Sequence, residues 1–195
     1  VLTIDNDLQD FALRAFPDHI KGAVVVSDVR TGGILAYVSK PGYDPNLFMQ
    51  RISPEVWANL NNENKPMLDR VIHATYPPGS VFKPVTGGLG LSKNLVNPLT
   101  RLSFCDGGFQ VGNRYFRCWL HSGHGTSNIV EALKVSCDTY FYDLSLKLPL
   151  EEFKEYTLAN HLCRQTGIDL PNERHGFFPD TAWYRKTFGQ NIGIL

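Results

Sequence analysis

The sequence predicts an α+β fold in which an antiparallel sheet is flanked by helices. Two segments rich in β-branched and apolar residues, 22–28 and 34–38, are separated by the turn sequence Arg30-Thr31-Gly32-Gly33, which is typical of a β-hairpin. The first of these is expected to be a buried strand. Segments 3–16 and 150–162 carry apolar residues at helical spacing. The 195 residues suffice for one domain with a hydrophobic core.

The composition excludes several classes of partner. The 19 basic residues balance the 19 acidic ones, so the charge does not indicate a nucleic acid or an anionic membrane as partner. No apolar run approaches the roughly 20 residues that span a bilayer. The chain starts without a signal peptide and ends on the apolar residues 191–195. We therefore expect either a cytosolic protein or a fragment whose membrane anchor lies outside it, with a truncation at the carboxyl end as well.

The first helix is predicted over residues 3–16. Apolar residues recur there at helical spacing, either Thr3 or Asp5 is suited to cap the amino end, and Pro17 ends the helix. A shorter helix is predicted around residues 53–60, in a segment that is otherwise polar and mixed.

Around Ser80 the sequence runs Pro-Pro-Gly-Ser-Val-Phe-Lys-Pro, and a helix is predicted to begin there. Pro84 need not break this helix, because proline is tolerated in a first turn, and the pair Gly87-Gly88 weakens its far end. Ser80 and Lys83 lie three residues apart and share a face. Burial and the helix dipole both disfavour an ammonium there, so Lys83 is suited to act as a base for the Ser80 hydroxyl. Taken alone, the S-x-x-K tetrad is better explained by a capping serine and a solvated lysine.

The second half of the chain predicts an irregular segment followed by helices. Residues 94–128 are rich in Gly, Asn and Ser, and little of this segment is expected to be helical. Residues 129–147 predict one long helix or two helices with a break, with the aromatic residues 140–142 in the core. A further helix is predicted over 150–162, with acidic residues in its first turn. Cys163 is expected to lie on a helix and in the core.

Several groups of residues stand in one order along nearly the whole chain. They are Thr3-Ile4-Asp5, Leu8-Gln9, the hairpin 22–38, Pro41-Gly42-Tyr43-Asp44-Pro45-Asn46-Leu47-Phe48, Pro78-Gly79-Ser80-Val81-Phe82-Lys83-Pro84, Ser136-Cys137-Asp138 and Thr166-Gly167-Ile168-Asp169-Leu170-Pro171. Together they resemble the transpeptidase domain of a class B penicillin-binding protein. Asp138, rather than Asn, resembles the elongation-type branch (penicillin-binding protein 2) more than the division-type branch.

The resemblance implies the transpeptidase fold shared by penicillin-binding proteins and serine β-lactamases, and it assigns roles to four residues. Ser80 would be the acylated nucleophile and Lys83 would take its proton. Ser136 would pass a proton toward the leaving group, and Asp138 would help hold Lys83 and the substrate. The implied reaction is a D,D-transpeptidation, in which Ser80 attacks the D-Ala-D-Ala amide of a peptidoglycan stem peptide. A neighbouring stem's amine would resolve the acyl-enzyme into a cross-link, and β-lactams would acylate the same serine.

One family motif has no match in the sequence. The third motif, K-T-G or K-S-G, lies on a strand near the carboxyl end of the family domain, whereas Lys186-Thr187 is followed here by Phe188. We therefore expect residues 1–195 to be a partial transpeptidase domain, without the anchor, the pedestal and the strand that carries the third motif. That strand supplies an oxyanion-hole N–H, and losing one such donor lowers a rate by about 10²–10³-fold. The segment by itself is thus expected to be inactive without this motif.

The resemblance also implies a location and partners. The domain would lie in the bacterial periplasm and be held by an inner-membrane anchor. A membrane glycosyltransferase and proteins of the elongation complex would be its partners in cell-wall synthesis and cell shape. Two alternatives stay open: a serine β-lactamase or D,D-carboxypeptidase, and a non-catalytic, zinc-stabilised penicillin sensor or scaffold module.

A second set of residues indicates a metal site. Cys105, Cys118, His124 and Cys137 offer three thiolates and one imidazole, which make a closed tetrahedral zinc site. Their spacing is unlike the C-x-x-C of a zinc knuckle. His121 could replace His124, although the glycines beside His124 give it the freer backbone.

The resemblance adds weight to zinc, because some elongation-type penicillin-binding proteins have ligands at these places. The metal would be structural and would pin the loop 104–125 to the turn that carries Ser136 and Asp138. The alternative is a disulfide between Cys105 and Cys118 in an oxidising compartment. It would leave an odd thiol, so the zinc interpretation is preferred.

Overall fold

A computed structural model of the chain describes residues 2–189. These residues form two compact units. The first comprises residues 2–76 and 167–174, and the second comprises residues 77–166 and 175–189. Across the described part of the chain, no helix has both the length and the apolar character needed to cross a membrane.

The first unit is built on the predicted hairpin. Strands β1 (Gly22–Ser27) and β2 (Ile34–Lys40) pair in antiparallel register, and helix α1 (Asn6–Ala15) packs on β2. Of the two candidate caps it is Asp5 that caps α1, since its carboxylate accepts a hydrogen bond from the Leu8 N–H at 2.9 Å. The expectation that β1 is buried was wrong, because its residues alternate between partly buried and exposed.

The remaining helix of this unit, α2 (Pro54–Leu60), confirms the short helix predicted around 53–60. It is preceded by a 3₁₀ helix at Pro45–Met49. The core of the unit is small and consists of Ala12, Ala36 and Val38.

The second unit holds the larger core and every candidate site residue. A 3₁₀ turn at Gly79–Phe82 leads directly into helix α3. The elements that follow along the chain are α3 (Lys83–Ser92), β3 (Gly108–Val111), β4 (Arg114–Arg117), α4 (Ile129–Lys134), α5 (Asp138–Ser145), α6 (Leu150–Ala159) and α7 (Thr181–Phe188). Strands β3 and β4 form a second antiparallel hairpin. Helix α5 is central to this unit, since it contacts α3, α4 and both strands.

Helix α3 corrects one prediction about the glycines. It continues to Ser92 instead of weakening at Gly87-Gly88. The glycines allow close packing, because a Cβ added at Gly87 would lie 3.1 Å from Ile129 and one added at Gly90 would lie 2.9 Å from Leu144. Tertiary contact thus offsets the low helix propensity of glycine, which costs about 1 kcal/mol relative to alanine.

The segment 129–147 forms two helices with a break between them, so of the two predicted alternatives the single long helix is wrong. Asn128 and Glu131 make a capping box at the start of α4, and residues 135–137 interrupt the helical structure before α5 begins. Ser136, within this break, has φ +53°, in the left-handed region. Tyr140 and Phe141 are buried as expected, whereas Tyr142 is only half-buried.

Three features of the second unit were missed or wrongly predicted. The hairpin β3–β4 was not predicted, although its two-residue turn, Gly112-Asn113, is a sequence signal for one. Helix α7 was also missed, and it contains Lys186-Thr187, so this pair lies on a helix and not on a strand. Cys163 is half-buried on a turn with φ +59° after α6 ends, not on a helix in the core.

Candidate active site

The four residues proposed for acyl transfer lie together in the second unit. Ser80 is in the 3₁₀ turn, and Lys83 is the first residue of α3. Ser136 lies in the break between α4 and α5, and Asp138 is the first residue of α5. Proline at the second position of α3 leaves the helix intact, as predicted, because its missing N–H has no partner in a first turn.

The Lys83 amine is the centre of the hydrogen-bond network. It is buried, with 8% of the residue exposed, and Nζ lies 5.8 Å from the centre of the Phe141 ring. Nζ donates to Asp138 Oδ1 at 2.6 Å, to the Ser136 carbonyl oxygen at 2.7 Å and to Ser136 Oγ at 2.9 Å. An ammonium has three donors, and these acceptors satisfy all of them. The fold thus accommodates the charged amine that burial and the helix dipole were expected to disfavour.

The Ser136 hydroxyl connects the Lys83 amine to the predicted nucleophile, Ser80. Ser136 Oγ lies 2.9 Å from Lys83 Nζ and donates to Ser80 Oγ, also at 2.9 Å. The sequence predicted that Lys83 takes the Ser80 proton. In the described structure the amine is hydrogen-bonded to Ser136 and Asp138, so its hydrogen-bonded route to Ser80 runs through Ser136. A hydroxyl both donates and accepts, which allows this route to carry a proton in either direction.

The backbone conformation of Ser136 explains how two of its oxygens contact the same Lys83 amine. Its left-handed conformation, φ +53°, directs the carbonyl oxygen and the hydroxyl to the same amine. Such a conformation costs a non-glycine residue about 1 kcal/mol or more and persists only where surrounding contacts hold it. The strain therefore marks the turn as one that the fold maintains around Lys83.

Asp138 forms hydrogen bonds both with the Lys83 amine and with the loop that carries Cys118 and Trp119. Its Oδ1 binds Lys83, while Oδ2 accepts a hydrogen bond from the Trp119 backbone N–H at 3.0 Å. The Asp138 N–H donates to the Cys118 sulfur at 3.4 Å. The carboxylate also occupies the first turn of α5, where the helix dipole favours a negative charge. Asp138 thereby connects the amine to the cysteine-bearing loop.

The predicted metal ligands also lie together, next to the four acyl-transfer candidates. One ligand atom from each of Cys105, Cys118, His124 and Cys137 lies within 4.8 Å of the others. His124 Nδ1 lies 3.4 Å from the Cys118 sulfur and 3.7 Å from the Cys105 sulfur. Tetrahedral zinc with Zn–S bonds of about 2.3 Å and a Zn–N bond of about 2.0 Å places nitrogen and sulfur about 3.5 Å apart, so these nitrogen–sulfur separations fit the ion.

The loop geometry selects His124 over His121. His124 stands between two glycines with positive φ, and a Cβ at Gly123 would lie 2.1 Å from the Cys105 carbonyl oxygen. Cys105 and Gly125 exchange two backbone hydrogen bonds of 3.0 Å, which bring the histidine beside the thiols. His121 is exposed, and it is not part of the cluster.

The surroundings of Cys105 and Cys137 shift the pKa values of the two thiols in opposite directions. Burial opposes ionisation of Cys105, but hydrogen bonding by Thr139 and by the backbone N–H groups of His124 and Gly107 lowers its pKa to about 6. Burial raises the pKa of Cys137 to about 12, to which its thiol neighbours contribute. Ionisation of the Cys105 thiol is therefore favoured, whereas ionisation of the Cys137 thiol is opposed. A divalent cation would remove this conflict, because a coordinating thiol loses its proton.

Two further observations bear on the choice between a metal and a disulfide. The four cysteines of the chain are unpaired in the structure, and the three in the cluster are each about 1% exposed. His124 Nδ1 faces the thiols, while its buried Nε2 has no hydrogen-bond partner among the described residues. The donor set, its burial and its spacing therefore fit a closed structural zinc site.

Comparison with known proteins gives a consistent family match. The family described as penicillin binding protein transpeptidase domain matches residues 22–194. Peptidoglycan D,D-transpeptidase MrdA of Escherichia coli K12 is 37% identical over 190 residues, which cover 96% of this chain and 30% of that protein. The relative of the same name from Acinetobacter baumannii is 35% identical over 190 residues, 95% of this chain. The chain spans only 28–30% of the length of these curated relatives.

The similarity extends to solved structures. Penicillin-binding protein 2 from Helicobacter pylori superposes with a TM-score of 0.87 at 35% identity, over 96% of this chain and 35% of that one. The same protein has also been solved in a complex with MreC, and that structure gives a TM-score of 0.88. These neighbours show that the two units described here adopt the penicillin-binding-protein transpeptidase fold predicted from the sequence.

Proposed function

The chain belongs to the penicillin binding protein transpeptidase domain family, and on this basis we propose that it is the catalytic-serine part of a peptidoglycan D,D-transpeptidase. The observation that carries the proposal is the hydrogen-bonded path from the Lys83 amine through the Ser136 hydroxyl to Ser80 Oγ. A serine with an adjacent base on such a path is an activated nucleophile. The names of the MrdA relatives support the same activity.

The acylation step follows from this path. With Lys83 in its neutral form, Ser80 Oγ attacks the carbonyl carbon of the D-Ala-D-Ala amide in a stem peptide, and its proton passes through the Ser136 hydroxyl to the free Lys83 amine. The C–N bond then breaks, and the proton returns through Ser136 to the nitrogen of the departing D-alanine. The product is an ester between Ser80 and the stem peptide. Asp138 keeps the Lys83 side chain in place and neutralises its charge when the amine is protonated.

The second half of the reaction reverses these roles. The amine of a neighbouring stem peptide attacks the ester, gives up its proton through Ser136, and forms the cross-linking amide while Ser80 regains its proton. A β-lactam would follow the first step only, because opening of its ring leaves the amine tethered to the acyl group. The adduct on Ser80 would consequently be long-lived.

Labelled penicillin tests the proposed function. In the complete protein that carries this chain, the wild type should form a stable adduct, and Ser80→Ala should form none. Ser92→Ala is a matched control, because the Ser92 hydroxyl lies at the far end of α3 and donates to the Leu89 carbonyl oxygen at 2.8 Å. Rapid release of the label would instead support a serine β-lactamase. A Ser80→Ala protein that still cross-links peptidoglycan would support a scaffold.

We further propose that Cys105, Cys118, His124 and Cys137 hold a structural zinc ion. When bound, the metal supplies charge to the thiolates and ties the 104–125 loop to α5. With four protein ligands it has no open position for water. The burial of all three thiols and the short contacts of His124 Nδ1 with two of them support this proposal.

Metal analysis with a thiol count tests the zinc proposal. Purified protein should contain one zinc per chain, and Cys118→Ser should lower both the zinc content and the melting temperature. Cys163→Ser is the control, because Cys163 is half-buried and lies outside the cluster. Absence of zinc together with a disulfide between Cys105 and Cys118 would reject the proposal.

The cellular setting is proposed from the same comparisons. Asp138 and the penicillin-binding protein 2 neighbours support the elongation-type branch. We propose a periplasmic location for this domain, an inner-membrane anchor elsewhere in the protein, and partners that include a membrane glycosyltransferase and a protein of the MreC kind. Fractionation of cells that produce the tagged full-length protein, followed by crosslinking, tests both points. Recovery in the cytosol would reject the location.

A further inference from the structure

Trp119 makes two hydrogen bonds to the turn that carries Ser136. It lies directly after Cys118, and it is 61% exposed although both of its N–H groups are bonded. Its backbone N–H donates to Asp138 Oδ2, and its indole Nε1–H donates to the Val135 carbonyl oxygen, each at 3.0 Å. The indole ring also contacts the His124 ring, with the two centres 5.3 Å apart.

The Val135 carbonyl is the group through which the indole can act on the turn. It lies at the carboxyl end of α4, where the last carbonyls have no partner within the helix. It also belongs to the peptide plane that ends at the Ser136 nitrogen. Because peptides are planar, fixing this carbonyl fixes one side of the φ rotation at Ser136, which stands at +53°.

We infer that Trp119 is a positioning residue for acylation, through an indole hydrogen bond that holds Ser136 in its left-handed conformation. This inference rests on the proposed function of Ser80. In that conformation Ser136 directs both its carbonyl oxygen and its hydroxyl to Lys83, and its hydroxyl also reaches Ser80. Loss of the indole donor leaves the Val135 carbonyl without this bond, and the strained Ser136 backbone can then relax away from the amine.

The geometry separates this role from packing. The indole is largely exposed, so its N–H can be removed with little loss of buried apolar surface. The backbone bond from Trp119 to Asp138 does not depend on the side chain. A replacement that keeps an aromatic ring and removes only the donor therefore isolates the bond to Val135.

Two such replacements are suitable in the complete protein. One is Trp119→Phe. The other is incorporation of benzothienylalanine at position 119, which keeps the two-ring shape and replaces N–H by sulfur. Stopped-flow measurements with a fluorescent penicillin give the dissociation constant of the initial complex and the acylation rate constant separately. Loss of one hydrogen bond to the turn predicts a fall of about tenfold in the acylation rate constant for both variants.

The remaining measurements should not change. The dissociation constant, the melting temperature and the zinc content should match those of the wild type. Trp57→Phe is the matched control, because Trp57 is 51% exposed on α2 in the other unit. Its acylation rate constant should equal that of the wild type.

Several results would overturn the inference. Wild-type acylation rates in both Trp119 variants would do so, and so would a weaker initial complex with an unchanged rate constant, which would make Trp119 a substrate contact. A slower variant that had also lost zinc would show that the effect passes through the metal ligands. A wild-type protein that penicillin does not acylate would reject the proposed function itself, and this inference with it.

Discussion

Removal of the Ser136 hydroxyl should disconnect Lys83 from Ser80 while leaving the rest of the network in place. In Ser136→Ala, Lys83 Nζ keeps its bonds to Asp138 Oδ1 at 2.6 Å and to the backbone carbonyl of residue 136 at 2.7 Å. The two bonds of 2.9 Å that join the amine to Ser80 through the hydroxyl are lost. Alanine keeps the Cβ, so the strain of the left-handed backbone is unchanged.

The magnitude follows from the proton path. A positioned group that transfers a proton in the transition state contributes about 10²–10⁴-fold to a rate, or roughly 3–5 kcal/mol of activation free energy. Because the structure gives Lys83 no other hydrogen-bonded route to Ser80 within the described residues, we expect Ser136→Ala to lose acylation rate within that range. Its melting temperature should change little, since the Lys83–Asp138 ion pair remains.

Stopped-flow acylation by a fluorescent penicillin measures this loss. Ser145→Ala is the control, because the Ser145 hydroxyl lies in the same segment and donates to the Tyr142 carbonyl oxygen at 2.8 Å. It should react at the wild-type rate. Loss of a proton-transfer group should slow acylation by at least roughly 10²-fold. A Ser136→Ala acylation rate within about threefold of the wild type would therefore refute the relay and show that Lys83 reaches Ser80 directly.

Two further predictions concern stability. Gly90→Ala should lower the free energy of unfolding, because the new methyl group would lie 2.9 Å from the fully buried Leu144. Overpacking costs about 1–3 kcal/mol and the gain in helix propensity offsets about 1 kcal/mol, so the net loss should be up to about 2 kcal/mol. Urea unfolding measures it, and an equal or higher stability would show that the core yields. Burial raises the pKa of Asp143, but hydrogen bonds from Lys147 and Ser103 outweigh it and hold that pKa below 3.8, so this stabilisation is present above pH 3.8 and is lost as the pH falls through the folded-state pKa. Asp143→Asn should therefore cost about 1–3 kcal/mol at neutral pH and progressively less below about pH 4, and a pH-independent difference in urea unfolding would contradict the assignment.

The sequence predicted the elements whose signals are local. The hairpin of β1 and β2, helix α1 with its Asp5 cap and the short helix α2 all follow from spacing, turn residues and capping residues. The four acyl-transfer candidates and the four thiol and imidazole ligands were named from their residue types and from the family resemblance. The structure brings the members of each set together.

Predictions failed where packing outweighs local preference. Glycines at 87, 88 and 90 are poor helix formers, yet α3 continues through them because neighbouring side chains occupy the space that a Cβ would fill. Helix α7 was missed, although Asp180 caps it by accepting a hydrogen bond from the Trp183 N–H. The turn Gly112-Asn113 carried a signal for the second hairpin that the irregular composition around it obscured.

By itself the sequence predicted which residues could carry the chemistry, since a hydroxyl, an amine and three thiols are fixed by residue type. It could not decide how they are connected. That connection depends on contacts between segments more than 15 residues apart. These contacts hold the left-handed turn at Ser136 and place its hydroxyl between Lys83 and Ser80. They include the hydrogen bond that Trp119 donates to this turn and the one that Cys118 accepts from it. Such contacts have no local pattern, so only the tertiary structure could indicate the proposed proton path and its link to the predicted metal ligands.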